Sequence, residues 1–187
     1  FPGDLLEELV VGLRKKTGRR VVVLFDEYDK PIVDMLHQPE EAEQNRKTLS
    51  NFYGVLKPIG DHIQFLMFTG ISKFSQVSVF SKLNQLEDIT FNEGYASLLG
   101  YTQMEIEANF EDYLQLAAAK LNLERQELLA QIKHWYNGYT WDWSLKQYVY
   151  NPVSVMKFFA QKEFANHWFA TGTPGFLIQM LKTQHFY

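Results

Sequence analysis

The chain has 187 residues, 46% of them hydrophobic and 21% charged, an ordinary globular composition that excludes intrinsic disorder. Lys and Arg number 18 against 22 Asp and Glu, a formal charge of −4 that leaves neither half with the positive excess of a dedicated phosphate-backbone binder. The absence of cysteine excludes disulfide frameworks and thiolate zinc sites, the five histidines form no HExxH pair, and no apolar run approaches the roughly 20 residues of a bilayer span. These features predict a soluble, cytoplasmic protein. The chain opens on Phe1 rather than Met, which predicts a segment of a longer polypeptide.

Asp4 and Glu7 have the spacing of a capping box, and Leu5, Leu6, Leu9, Val10 and Leu13 recur on one face, so a helix is expected to about Lys16, closed by Gly18. Helix-end electrostatics account for the basic run through Arg14, Lys15, Lys16, Arg19 and Arg20 in a chain that is acidic overall. Residues 20–25 are a continuous, mostly β-branched run, the pattern of a central parallel strand buried on both faces. The run ends in Asp26-Glu27-Tyr28-Asp29-Lys30-Pro31, where Pro31 suits a first helical turn and keeps Lys30 out of the helical region. A second helix is expected over about 40–56, with Leu49, Phe52, Tyr53 and Leu56 on one side, and a second buried strand over 63–68, ending in Thr69-Gly70-Ile71-Ser72-Lys73. Strand, helix, strand at this spacing predicts a right-handed crossover between parallel strands. The polar clusters at 26–30 and 69–73 then share one carboxyl edge, where open α/β sheets bind ligands.

Residues 76–94 show no clear period. Beyond them Thr102 and Glu105 form a second capping box, heading a helix through Ile106, Phe110, Tyr113, Leu114 and Ala117. A further helix from about Glu124 to Trp135 stops at Asn137-Gly138, and the aromatic stretch from Tyr139 to Tyr150 reads as a small hairpin. Asn151-Pro152 and Thr173-Pro174 each pair an N-cap with proline at the first helical position. The expected class is α/β, with an α/β segment over 1–90 and a mainly helical subdomain over 91–187.

An apolar strand running into Asp26-Glu27 is the arrangement of a Walker B segment, in which the first carboxylate holds Mg²⁺ and the second orients the water beside a γ-phosphate. Adjacent residues at a strand end splay apart, so one acid can face the metal and the other the nucleophile. The same two acids equally suit a strand-to-helix turn in which they cap amides. At the neighbouring strand end Ser72 is the candidate to sense the γ-phosphate and Lys73 to add positive charge, against the alternative of a plain loop turned by Gly70. The phosphate cradle GxxxxGK[ST] occurs nowhere in the 187 residues, so this chain alone is not expected to bind ATP well. Glu27-Tyr28-Asp29-Lys30 only superficially resembles the acid-x-lysine end of restriction-type nucleases, since its spacing fails. Trp135, Tyr136, Tyr139, Trp141 and Trp143 could stack bases, but a chain this rich in aromatics must bury most of them, and packing is the preferred reading.

In order, VVVLFDEYDKPI, FTGISKFSQVSVFSKLNQLEDIT, GYT, WYNGY, VYNP and TGTPGFLI resemble the bacterial AAA-ATPase-like family, a P-loop ATPase-like domain often linked to a C-terminal PD-(D/E)XK nuclease-like domain. The resemblance extends over nearly the whole chain. It implies the remnant of a parallel P-loop-type sheet followed by a mainly helical, lid-like subdomain, with ATP and Mg²⁺ as cofactors of the parent protein. It also implies a phosphate-binding loop of the type RRFGKS upstream of Phe1 and the nuclease-like domain after Tyr187, both partners of this segment. By that resemblance Asp26 is the Mg²⁺ carboxylate, Glu27 the water-orienting acid, and Ser72 with Lys73 the second phosphate-facing strand end. Asp29 and Lys30 complete the family's DEYDK signature. The segments around Tyr136 to Tyr139, Asn151-Pro152 and Thr171 to Pro174 are signature elements of the helical part, read as packing and capping. None of the arginines is marked out as an arginine finger, although Arg46 and Arg125 could reach a neighbouring subunit's phosphate. The expected function is the C-terminal half of an AAA-type ATPase domain; the alternative is a non-hydrolysing interaction module derived from one. Homo-oligomerisation would cover the sheet edge such a half leaves unpaired, and neither a membrane nor a nucleic-acid partner is expected.

Overall fold

Two apolar runs make the first sheet: β1 (Val21–Phe25) and β2 (Ile63–Phe68) pair in parallel in the computed structural model, which describes residues 1–71 and 79–168. They belong to the first of two units, which contains Phe1–Leu86; the second runs from Glu87. In the first unit the order is α1 (Pro2–Thr17), β1, α2 (Lys30–Val33), α3 (Pro39–Gly54), a 3₁₀ turn at Gly60–His62, and β2. The parallel strands and the helix between them follow the pattern of the sequence.

Three local details differ from it. Helix α1 starts at Pro2, so Asp4 is its third residue and not its N-cap, its carboxylate accepting from the Phe1 amine at 2.9 Å, because proline's fixed φ already suits the first helical position. Its end is as read: Gly18 is left-handed at φ 68 and its N–H donates to the Arg14 carbonyl at 2.9 Å. Helix α2 includes Lys30, one residue ahead of Pro31, since the Lys30 N–H donates to the Glu27 carbonyl at 3.0 Å and turns the chain before the proline acts on it. The third difference concerns burial. Val23 lies in a core with Val10, Ile32, Tyr53, Leu56 and Ile59, while Val22 and Leu24, on the opposite face of β1, are 55% and 66% exposed. Alternate residues of a strand face opposite ways, and in this chain only one face of β1 is covered.

The second unit contains a 3₁₀ turn at Glu93–Tyr95, α4 (Gln103–Asn109), α5 (Glu111–Leu121), α6 (Arg125–Tyr136), an antiparallel hairpin of β3 (Asn137–Tyr139) and β4 (Val149–Tyr150), and α7 (Pro152–Gln161). The capping box at α4 is formed: the Glu105 N–H donates to Thr102 Oγ1 at 3.2 Å, and Glu105 Oε2 accepts from the Thr102 N–H at 2.8 Å. The single helix expected through Ala117 is two. Phe110, at φ −118, ends α4 and starts α5; Asn109 is a weak helix former, and Glu111 and Asp112 suit a new helix N-terminus. Asn151 caps α7 as read, accepting from the Ser154 N–H at 2.9 Å. Ile106, Leu114, Leu128, Ile132, Tyr136, Tyr150, Val155 and Phe158 form the core. Of the aromatics from 135 to 143, Tyr136 is packed there, whereas Trp143 is 76% exposed and its ring lies 4.2 Å from that of Phe91. Thr171 to Pro174 lie outside the described residues.

Gly100 is pressed against the hairpin: a Cβ there would sit 2.4 Å from Cγ2 of Val149 and 3.0 Å from the Tyr150 carbonyl oxygen. Gly100→Ala is therefore expected to destabilise the second unit by about 1–3 kcal/mol through overpacking. Thr102→Ala removes a cap and is expected to cost about 1 kcal/mol. Urea denaturation followed by far-ultraviolet circular dichroism checks both values and their order.

Candidate site at the strand ends

The parallel register ends at Phe25 opposite Phe68, so the next residues, Asp26 and Thr69, emerge side by side. Main-chain bonds carry the pairing into the loops: the Thr69 N–H donates to the Phe25 carbonyl at 2.8 Å, and the Tyr28 N–H to the Thr69 carbonyl at 2.9 Å. Asp26 is exposed, and its Oδ1 accepts from the Thr69 hydroxyl and, at 3.0 Å, from the Glu27 N–H. Among the described residues its Oδ2 accepts no hydrogen bond. Glu27 is also exposed and adopts φ +50, a left-handed conformation uncommon for a residue with a side chain. Its carboxylate makes no hydrogen bond or ion pair among the described residues.

Asp29 behaves differently: it has no solvent exposure. Its Oδ1 accepts from the Ile71 N–H at 3.3 Å, across from one strand-end loop to the other. Gly70 permits that approach, since a Cβ there would lie 2.6 Å from Asp29 Oδ1 and 2.7 Å from the Tyr28 ring. An aromatic cluster supports both loops from below. Phe25 stacks on Phe68 at 4.9 Å, Tyr53 meets Phe68 edge-on at 5.1 Å, and Phe80 meets Phe68 at 4.8 Å. The Tyr53 hydroxyl donates to the Tyr28 carbonyl at 3.4 Å. Burial, reinforced by the negative charge of Asp29 and by Tyr28, pushes the Tyr53 phenol up to about 12.

Asp26 and Glu27 thus stand at the carboxyl edge of the parallel pair, as do residues 69–71 of the second cluster. Ser72 and Lys73 lie outside the described residues. The residue that meets Asp26 is Thr69, whose signal was its place as the first polar residue after the apolar run. Asp29 had a subtler signal in Gly70, a glycine at a point of close backbone approach. Arg46 is engaged with Glu43, and Arg125 bridges Glu107 at 3.4 Å and Glu111 at 2.9 Å. Among the described residues no group of three or more His, Asp or Glu could cage a metal, and no helix is long and apolar enough to cross a membrane. Mg²⁺ needs no such cage: it is held by one or two carboxylates together with water and substrate phosphates, and the open Oδ2 of Asp26 fits that donor set.

The Tyr53 shift fixes a pH dependence. Its folded-state pKa lies above the ordinary value of 10, so the stabilisation is complete below pH 10 and is lost as pH rises through about 12. Tyr53→Phe is expected to flatten the loss of stability between pH 10 and 12, measured as urea midpoints of both proteins across that range with tyrosinate absorbance followed in parallel.

Comparison with known proteins gives two similarities. Residues 2–80 match the AAA-ATPase-like family model, described as a predicted AAA-ATPase. The protein described as "Uncharacterized protein in vnfD 5'region" of Azotobacter chroococcum mcd 1 is 44% identical over 174 residues, which are 93% of this chain and 31% of that protein. The chain therefore spans about a third of the length of this relative. No solved structure matches the chain. The match covers the stretch that builds β1, β2 and the strand ends between them, and the motifs beyond residue 90 lie outside it.

Proposed function

We propose that this chain is the C-terminal half of an AAA-type ATPase domain, in which Asp26 holds Mg²⁺ and Glu27 orients the attacking water, the phosphate-binding loop being supplied by another part of the parent protein. One observation carries the reading: an exposed carboxylate, steadied by Thr69 on one oxygen, stands beside an exposed acid that has no partner among the described residues, at the carboxyl edge of a parallel strand pair. The family match supports the use of a nucleotide and Mg²⁺ by the parent. When bound, Mg²⁺ neutralises charge on the transferring phosphoryl group. Asp26 holds its Oδ1 on Thr69 and the Glu27 N–H and leaves Oδ2 for the metal and its water. Glu27 accepts a hydrogen bond from the attacking water and draws off its proton. Ser72 and Lys73 keep the phosphate-facing role that the resemblance assigns them. The first unit is in this reading the remnant of a P-loop-type sheet, the mainly helical second unit its lid, and a nuclease-like domain the downstream partner in a cytoplasmic protein.

The second reading is a P-loop-derived module that binds partners without hydrolysis, and a degraded lysine or glycine pattern in the parent's phosphate-binding loop would favour it. Steady-state turnover by the full-length protein separates the two. Glu27→Gln is expected to lower ATP hydrolysis roughly 10²-fold or more while nucleotide binding persists, and Asp26→Asn to weaken the response to Mg²⁺. Turnover unchanged by Glu27→Gln would end the hydrolytic reading in favour of the interaction module.

A further inference from the structure

Asp29 is the one Asp, Glu, Lys or Arg with no solvent exposure among the described residues. A carboxylate is kept in such a place only where donors compensate its lost hydration. In this fold it faces the other strand end: the Ile71 N–H donates to it, and Gly70 lies so close that a single added methyl would overlap its Oδ1. Two of the links between the loops are main-chain bonds, from Thr69 to Phe25 and from Tyr28 to Thr69, and any sequence could make them. Among the described residues two more need particular side chains, the Thr69 hydroxyl on Asp26 and the Asp29 carboxylate on Ile71. They flank the same short segment. Asp29 fixes residues 70 and 71, which leaves the Thr69 hydroxyl little room to move away from Asp26.

We infer that Asp29 is a positioning residue: its buried carboxylate clamps Gly70 and Ile71 and so holds the Thr69 hydroxyl on Asp26, setting the orientation of the Mg²⁺ carboxylate. The consequence for Mg²⁺ rests on the proposed role of Asp26; the clamp itself rests on geometry alone. Asp26 sits exposed at a strand end, where an untethered carboxylate samples several rotamers, and fixing one of them lowers the entropy lost when the metal and its water bind. A charged acceptor also holds an amide more strongly than a neutral one. Aspartate rather than asparagine is therefore the residue that keeps the segment after β2 in place. This gives the second aspartate of the DEYDK signature a task distinct from that of Asp26.

The test uses the full-length protein carrying Asp29→Asn, Thr69→Val and the pair. Asp29→Asn keeps the size and one acceptor oxygen, and is expected to speed amide hydrogen exchange at Ile71 about fivefold or more. It should also raise the Mg²⁺ concentration for half-maximal ATP turnover severalfold, with kcat at saturating Mg²⁺ within about twofold of wild type. Thr69→Val should raise the Mg²⁺ requirement in the same way, and the double variant should do no more than the stronger single one, because both act through one contact. Additive effects would overturn the inference, as would faster exchange at Ile71 with an unchanged Mg²⁺ requirement, which describes a merely structural acid. If Asp29→Asn does not fold, Gly70→Ala, which crowds the same oxygen, takes its place in the cycle. A wild-type protein without turnover would sink the ATPase reading and leave the clamp to stand or fall on exchange at Ile71.

Discussion

The site depends on one irregularity in the pairing of β1 with β2. Val21 lies opposite Ile63, but Val22 lies opposite Phe65, so Gln64 is passed over and the register shifts by one residue. Without that shift Phe25 would face Met67 and Asp26 would emerge beside Phe68. With it, Phe25 stacks on Phe68 and Asp26 comes level with Thr69. The bulge also keeps polar Gln64 at the surface while Leu66 and Phe68 remain turned to the aromatic cluster on α3. A one-residue slip in a strand exchanges its two faces, so register and core are fixed by the same choice. The aromatic rings enforce it, because Phe25, Phe52, Tyr53, Phe68 and Phe80 interlock only when the two strand ends are level.

How far the fold could be read from the sequence follows from the range of the forces involved. The caps at Thr102 and Asn151 and the left-handed stop at Gly18 are set by atoms within a few residues, and each was legible. The two strands were legible because unbroken apolar runs leave few alternatives. Exposure of Val22 and Leu24 was not, because it depends on which layers cover the sheet rather than on the strand itself. That Thr69 meets Asp26 turned on where β2 ends, the least certain point of any sequence reading. Gly70, which makes room beside the buried Asp29, is distant from it in the chain, and no local pattern marks the burial.

The second unit draws three separate segments together. Gly100-Tyr101-Thr102, Tyr136-Asn137-Gly138-Tyr139 and Tyr150-Asn151-Pro152 converge on one small ladder. Tyr101 and Tyr150 exchange main-chain bonds at 3.2 and 2.7 Å, Tyr150 pairs with Asn137, and the Asn151 N–H donates to the Tyr136 carbonyl at 2.9 Å. The Tyr136 hydroxyl accepts from the Ala165 N–H at 3.2 Å, and the Tyr150 hydroxyl donates to Gln103. Each group has a structural task, which supports packing and capping rather than catalysis for these positions.

Left-handed residues make the contrast between the units specific. Asn122 and Lys162 adopt positive φ at the ends of α5 and α7, and each N–H closes its helix on a carbonyl four residues back. That is ordinary helix termination. Leu145 sits in the loop that Asp142 organises through the N–H groups of Ser144 and Lys146. Glu27 has no helix to end: it turns the chain at a strand terminus, one residue after an exposed acid and two before a buried one. Between 26 and 29 an unusual backbone, an open carboxylate and a fully buried carboxylate occur together. Such departures persist only where the surroundings over-determine them, and they gather at sites that bind or react. In the proposed reading Asp26 and Glu27 of these four residues carry the metal and the water, and β2 and α3 hold them in place.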